Sequence, residues 1–134
     1  MSVFNAVNAS IYSTLGGGTA LVTALGGTAI YQGAAPDHAA LPYVVYSHQA
    51  GGALNITPDD MRDQIVFVRA YAATAKQAGE IDALCSALLH HRVLSVTGWT
   101  NFWTARETDV EQVITLADGR REHSAGAFYR IRLT

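Results

Sequence analysis

The sequence predicts an α+β domain, a mainly antiparallel β-sheet with an N-terminal helix and one central helix packed on one face. Three observations carry this expectation. Apolar residues recur at three- and four-residue spacing over residues 3–15 and again over 75–92. Between and after these stretches, the segments are rich in β-branched and aromatic residues. The last ten residues alternate with a period of two. The resulting order is helix, helix, three strands, helix, three strands, which suits helices laid on a mostly antiparallel sheet.

Residues 3–15 (VFNAVNASIYSTL) read as the first helix, with Phe4, Val7, Ile11 and Leu15 on one face. Gly16, Gly17 and Gly18 are expected to end it, glycine being free to turn left-handed after a helix. Thr19 can cap a short helix over 20–25, closed by Gly26 and Gly27. The likeness of LGGGTAL to LGGTAI is repeated punctuation, since a repeat architecture needs several longer units. A short strand follows over 28–32. A loop with Pro36 then leads to Pro42 and a strand over 43–49, where a proline at the first position does least harm. Residues 50–63 read as a long polar loop broken by Gly51, Gly52 and Pro58, long enough to be a functional feature.

Residues 64–73 (QIVFVRAYAA) are apolar on both faces except for Arg69, as a covered central strand would be. The helix over 75–92 buries Ile81, Leu84, Cys85, Leu88 and Leu89 and turns Lys76, Glu80, Asp82, Ser86 and His90 mostly outward. Three β segments close the chain, over 93–106, 110–117 and 124–133. Asp118-Gly119 marks a hairpin between the last two, and Gly98 marks a bulge in the first. In the final strand Ala127, Tyr129, Ile131 and Leu133 share one face, with Phe128, Arg130 and Arg132 on the other.

At 134 residues the chain has the length of one domain, 1–134. Charged residues make up 15%, against roughly 25% in soluble domains. Subunit contacts that bury surface would explain this, and so would a merely alanine-rich monomer. Nine basic residues scattered among eleven acidic ones make free nucleic acid a poor partner. A single cysteine, Cys85, excludes an intrachain disulfide and suits a reducing compartment. The start lacks a basic signal-peptide region, and no apolar run reaches the roughly 18–20 residues that span a bilayer. The expectation is a protein made in a cytoplasm, with no membrane partner.

Candidate chemistry fails on spacing. His90 and His91 are adjacent, so on a helix they diverge by roughly 100°. Cys85 lies five and six residues before them, off the ligand spacing of a helical metal site. Ser47 and His48 point to opposite faces of a strand, and no GxSxG elbow occurs. The glycines at 16–18 lack the GK[ST] ending of a phosphate loop. Asp59, Asp60 and Asp63 do not follow the DxDxDG calcium pattern and read as a solvated loop. Trp99 and Trp103 share a strand face and read as core or interface anchors. No catalytic, cofactor or metal site is expected, and the chain is not expected to be an enzyme.

A short helix ending in Gly-Gly, then AIY, then GAAPDHAA, then LPYVVY resembles the N-terminal half of the bacteriophage tail-completion, or tail-to-head joining, family. The later strand, helix and closing hairpin match in order and length, so the resemblance covers nearly the whole chain. Its matching residues, Ile30, Tyr31, Pro36, Pro42 and Tyr43, serve fold and loop geometry. The resemblance implies a structural virion protein at the head-proximal end of the tail, assembled in the host bacterial cytoplasm. It implies a homo-oligomeric ring, usually hexameric, that terminates the tail tube. The major tail tube protein and a head connector or stopper protein would be its partners, with DNA passing through without sequence-specific binding. A head–tail connector or tail-tube subunit of a phage-like particle is the alternative, followed by a small ligand-binding or enzymatic domain. A ring subunit needs two different contact surfaces. The expected reaching elements are the 50–63 loop, with Gly51, Gly52, Asn55, Asp59, Asp60 and Arg62, and the hairpin tip with Arg120 and Arg121.

Overall fold

A computed structural model of the chain describes residues 2–55 and 60–134. Among the described residues three helices and six strands follow one another as α1 (Val3–Gly16), α2 (Thr19–Leu25), β1 (Ile30–Gln32), β2 (Tyr43–Ala53), β3 (Arg62–Ala72), α3 (Ala75–Leu89), β4 (Ser95–Val96), β5 (Trp99–Thr115) and β6 (Arg121–Leu133). The strands form one sheet in the order β1-β2-β3-β6-β5-β4. Only β1 and β2 run parallel; every other pairing is antiparallel. Through α3 the element order is the one the sequence predicts, and the fold is α+β.

One apolar cluster unites the helices with alternate strand residues. Val7, Ile11 and Leu15 of α1, Leu21 and Leu25 of α2 and Ile81, Cys85 and Leu89 of α3 meet Val44, Tyr46, Val66, Val68, Ala127, Tyr129, Ile131 and Leu133. Each fully buried large side chain here contributes about 1.5–3 kcal/mol relative to exposure. Among the described residues a second, smaller cluster of Tyr43, Val45 and Tyr71 contains no helix residue; Leu41 and Ile114 are among the half-buried side chains around it.

The boundaries differ from the sequence expectation in instructive ways. The expected loop over 50–63 is strand at both of its ends: β2 continues through Gly51 and Gly52, which pair with Gln64 and Asp63, and β3 begins at Arg62. A Cβ on Gly51 would come within 2.5 Å of the Asp63 carbonyl, so this glycine permits a close strand approach instead of breaking the strand. The segments expected over 93–106 and 110–117 merge into β5, preceded by the short β4. Gly98, expected at a bulge, sits in the β4–β5 turn at φ +81°. The bulges of β5 fall instead between Asn101 and Trp103 and between Arg106 and Thr108. The first of them overturns the shared face of the tryptophans. Trp99 packs on the helix-side core, whereas Trp103 lies beside Arg132 at 5.0 Å.

In α1, Val7, Ile11 and Leu15 are buried as expected, joined by Ala6 and Ser10, whereas Phe4 is exposed. Gly17 caps α1 at φ −82°, not left-handed, and Gly18 leaves room for Leu88 of α3, which a Cβ would meet at 2.4 Å. Thr19 is the first residue of α2, whose N-cap is Gly18, without a side-chain cap. α3 stops at Leu89, three residues before the expected end. His91 takes a φ of 57° there, and the His90 and His91 rings stack at 3.7 Å instead of diverging.

Candidate functional site

The residues expected to reach partners separate into two groups at opposite ends of the sheet. Arg62 opens β3 and pairs with Leu133, whereas Ala72 closes it beside His123, close to the Arg120-Arg121 tip. Ten residue steps of strand separate these ends by roughly 30 Å.

At the first end Gly51 and Gly52 belong to the ladder, while Asn55 is exposed at φ 57°. Asp60 is exposed and lies 3.7 Å from the Arg62 guanidinium, which also sits 5.5 Å from the Trp99 ring. Asp59 lies outside the described residues. Asp63 is not the solvated loop acid expected. Its carboxylate accepts from Arg132 at 2.7 and 2.8 Å and from Arg130 at 2.9 Å, and Arg130 also pairs with Glu107. The two guanidiniums hold the Asp63 carboxyl below the ordinary carboxylate range, mainly through the Arg132 hydrogen bonds and against its burial. The alternation of Arg130 and Arg132 was visible in the sequence; their shared acid was hidden by the loop reading.

At the second end Arg120 donates from its backbone N–H and its Nε to Asp118, the latter at 2.6 Å, and Arg121 is exposed. Here the 33–41 loop and the helix-free side of the sheet enclose a cleft of about 740 Å³. Tyr43 and Tyr71 stack in its wall at 5.1 Å, and the Tyr43 hydroxyl donates to Glu122 at 3.5 Å. Burial first, then the Glu122 carboxylate, pushes the Tyr43 hydroxyl pKa up. Arg69, the polar exception in its strand, lies 5.4 Å from the Tyr71 ring and 4.6 Å from Phe67, and its buried Nε has no hydrogen-bond partner among the described residues. Aromatic faces and guanidiniums make a surface suited to gripping another chain.

The remaining polar groups serve the fold. Arg106 bridges both Asp82 oxygens on α3 at 2.9 Å, and its backbone N–H donates to His90 Nδ1 at 2.9 Å. Asn101 accepts from Leu94 and Thr104 and donates to the Trp103 and Arg132 carbonyls, so its four bonds hold the first β5 bulge. Cys85 is buried in the core, where desolvation pushes its thiol up to about 12 and leaves it unreactive. Among the described residues no three His, Cys, Asp or Glu side chains gather as metal ligands would.

The family model described as "Tail completion protein gp17" matches residues 9–131. Among solved structures the chain is similar to one in "Virion of native gene transfer agent (GTA) particle", with a TM-score of 0.75 and 17% identity. That match covers 99% of this chain and 98% of the other. No curated protein sequence matches the chain.

Proposed function

The chain belongs to the tail completion protein gp17 family, and from that premise we propose that it closes the head-proximal end of a phage or phage-like tail as a ring subunit. The match from residue 9 to residue 131 is the observation that carries this reading, because it runs from α1 into β6. In this reading the 134 residues act as one structural domain in the virion. Copies form a ring, usually of six, that terminates the tail tube and meets the head connector while DNA passes through the centre. The role is architectural, not catalytic.

The separation of the two residue groups supports a ring. A closed cyclic contact is heterologous and needs two different surfaces on each subunit. Asn55, Asp60 and Arg62 occupy one end of the β2–β3 ladder, and Arg120 and Arg121 lie at the other. In this reading one group faces a neighbouring subunit and the other faces a tail or head protein.

Replacing Arg120 and Arg121 with Glu tests the assignment, since the tip is exposed and such surface changes cost within about 0.5 kcal/mol of stability. Thermal unfolding is expected to be almost unchanged. Electron micrographs of particles from complemented infections are expected to show full heads beside unattached tails. A normal yield of joined particles would overturn the interface assignment. A wild-type chain that is dispensable for joining would overturn the functional reading itself.

A further inference from the structure

The outer part of β5 forms an edge of the sheet. From Arg106 to Thr115 this strand pairs with β6 on one side only. Its inner part is closed on the other side by the turn after α3. The His91 N–H donates to the Thr104 carbonyl, and the Arg106 N–H donates to His90 Nδ1. Beyond that point no described element lies along the edge.

The direction of the free groups follows from these bonds. Thr104 and Arg106 use outward-facing backbone groups, so their pairs across to Ile131 and Tyr129 are of the non-hydrogen-bonded kind. The bulge between Arg106 and Thr108 shifts the phase by one residue. Alternation then aims the N–H and C=O groups of Asp109, Glu111, Val113 and Thr115 away from β6. All four residues are exposed. Residues 107–115 (ETDVEQVIT) contain no proline, glycine or lysine, the usual means of blunting such an edge.

We propose that this edge, from Asp109 to Thr115, accepts an extended segment of another protein as an added β-strand, with a basic side chain facing Glu111 and an apolar one facing Val113. The charge of the edge selects the occupant. Glu107 pairs with Arg130 and Asp109 with Arg106, but Glu111 has no cation within salt-bridge reach among the described residues. Its direct cross-strand neighbour on β6 is Ala125, which offers no counter-charge. Val113, on the same side of the strand, is 54% exposed. A second copy of β5 would line the same short ladder with both copies' acids, and like charges across a ladder are destabilising. The chain's own opposite edge is unsuited too. β1 has three residues, its Ile30 N–H is turned back to the Thr28 carbonyl, and its Gln32 carbonyl accepts from Ala34. Strand addition supplies affinity through main-chain bonds and selectivity through alternate side chains, which here are Asp109, Glu111 and Val113.

The test uses the full chain and synthetic peptides about eight residues long, a common strand length. One peptide alternates threonine with lysine and valine; its twin carries glutamate in place of lysine. Hydrogen exchange by NMR reads the amides of Asp109, Glu111, Val113 and Thr115. The lysine peptide is expected to slow all four and to bind at least about tenfold more tightly than its twin. Glu111→Pro deletes one outward N–H without touching a β6 bond, so it is expected to fold normally and to lose about tenfold in affinity. Glu111→Thr keeps the N–H and is expected to abolish the preference between the peptides. If Glu111→Pro fails to fold, Val113→Pro and the twin comparison on the wild-type chain decide the question. Absence of protection at millimolar lysine peptide would overturn the proposal, as would equal binding of the twin. Protection that rises with protein concentration alone would assign the edge to a second copy and overturn it as well. None of these outcomes depends on the tail reading.

Discussion

The β5–β6 hairpin is one continuous ladder with two different halves. In the inner half, Asn101, Thr104 and Arg106 sit opposite Leu133, Ile131 and Tyr129, beneath the helices and closed at the edge by His90 and His91. In the outer half, residues 107–115 of β5 are exposed or half-exposed on both faces, and the edge is open. Both halves are antiparallel, and the two bulges lie in the inner half and at the boundary between the halves. What differs is coverage, and with it the residue types the strand can carry. The inner half holds its polar groups only where they are fully bonded, as at Asn101. The outer half holds three acids in five residues, a pattern that only an uncovered strand tolerates.

The sharpest way to break this contrast is Ile131→Ala. Ile131 is fully buried in the helix-side cluster, and removing such a side chain costs about 2–5 kcal/mol, depending on how far the cavity collapses. Urea unfolding is expected to shift its midpoint strongly while the slope is kept. A loss below about 1 kcal/mol would mean that the inner half is not the anchored part of the hairpin.

The same contrast explains what the sequence disclosed. The order of the elements through α3, and the closing strand β6, were legible, because covered segments must show the periodicity of their structure. The apolar stripe of α3 and the alternation of Ala127, Tyr129, Ile131 and Leu133 are the clearest cases. The outer half of β5 was not legible as part of one continuous strand, since uncovered residues carry no burial signal and the run from Glu107 to Asp109 reads as a break between two strands. The continuation of β2 through Gly51 and Gly52 was hidden for a different reason. The requirement at Gly51 is the nearness of the Asp63 backbone, which leaves no mark on side-chain pattern. Among the interface candidates, the Arg120-Arg121 tip was legible from Asp118-Gly119. The cleft around Arg69 was not, because it joins the 33–41 loop to strands far away in sequence.

A second effect, smaller than the first, sharpens the inner end. Asp63 binds Arg130 and Arg132 on the helix-free side of the sheet, and its pKa is lowered in the folded chain. The stability this confers is therefore fully present above the unfolded carboxyl's ordinary value. It is lost as pH falls through the lower folded value, beginning at about pH 5. Melting temperature is expected to decline over that acidic range in the wild type and to decline less steeply in Asp63→Asn. The variant starts from a lower plateau, because two half-buried guanidiniums lose their charged acceptor. Parallel pH profiles for the two proteins would remove Asp63 from the account.

The smallest expected effect carries the other side of the comparison. Val113 sits in the same hairpin as Ile131, with a β-branched side chain in a regular stretch of the ladder, opposite His123. Val113→Thr keeps the branched shape and strand preference and changes only the apolar contact. Because more than half of Val113 is exposed in the isolated chain, the substitution is expected to move stability by no more than about 0.5 kcal/mol. The same substitution should matter when the edge is occupied, since the apolar side chain of an added strand would lose its partner there. A large loss in the isolated chain would show that the outer half is already covered, and the two halves would then differ in sequence without differing in environment. A small loss in isolation with a clear loss of peptide affinity is the combination that ties the exposure of this half to the strand it awaits.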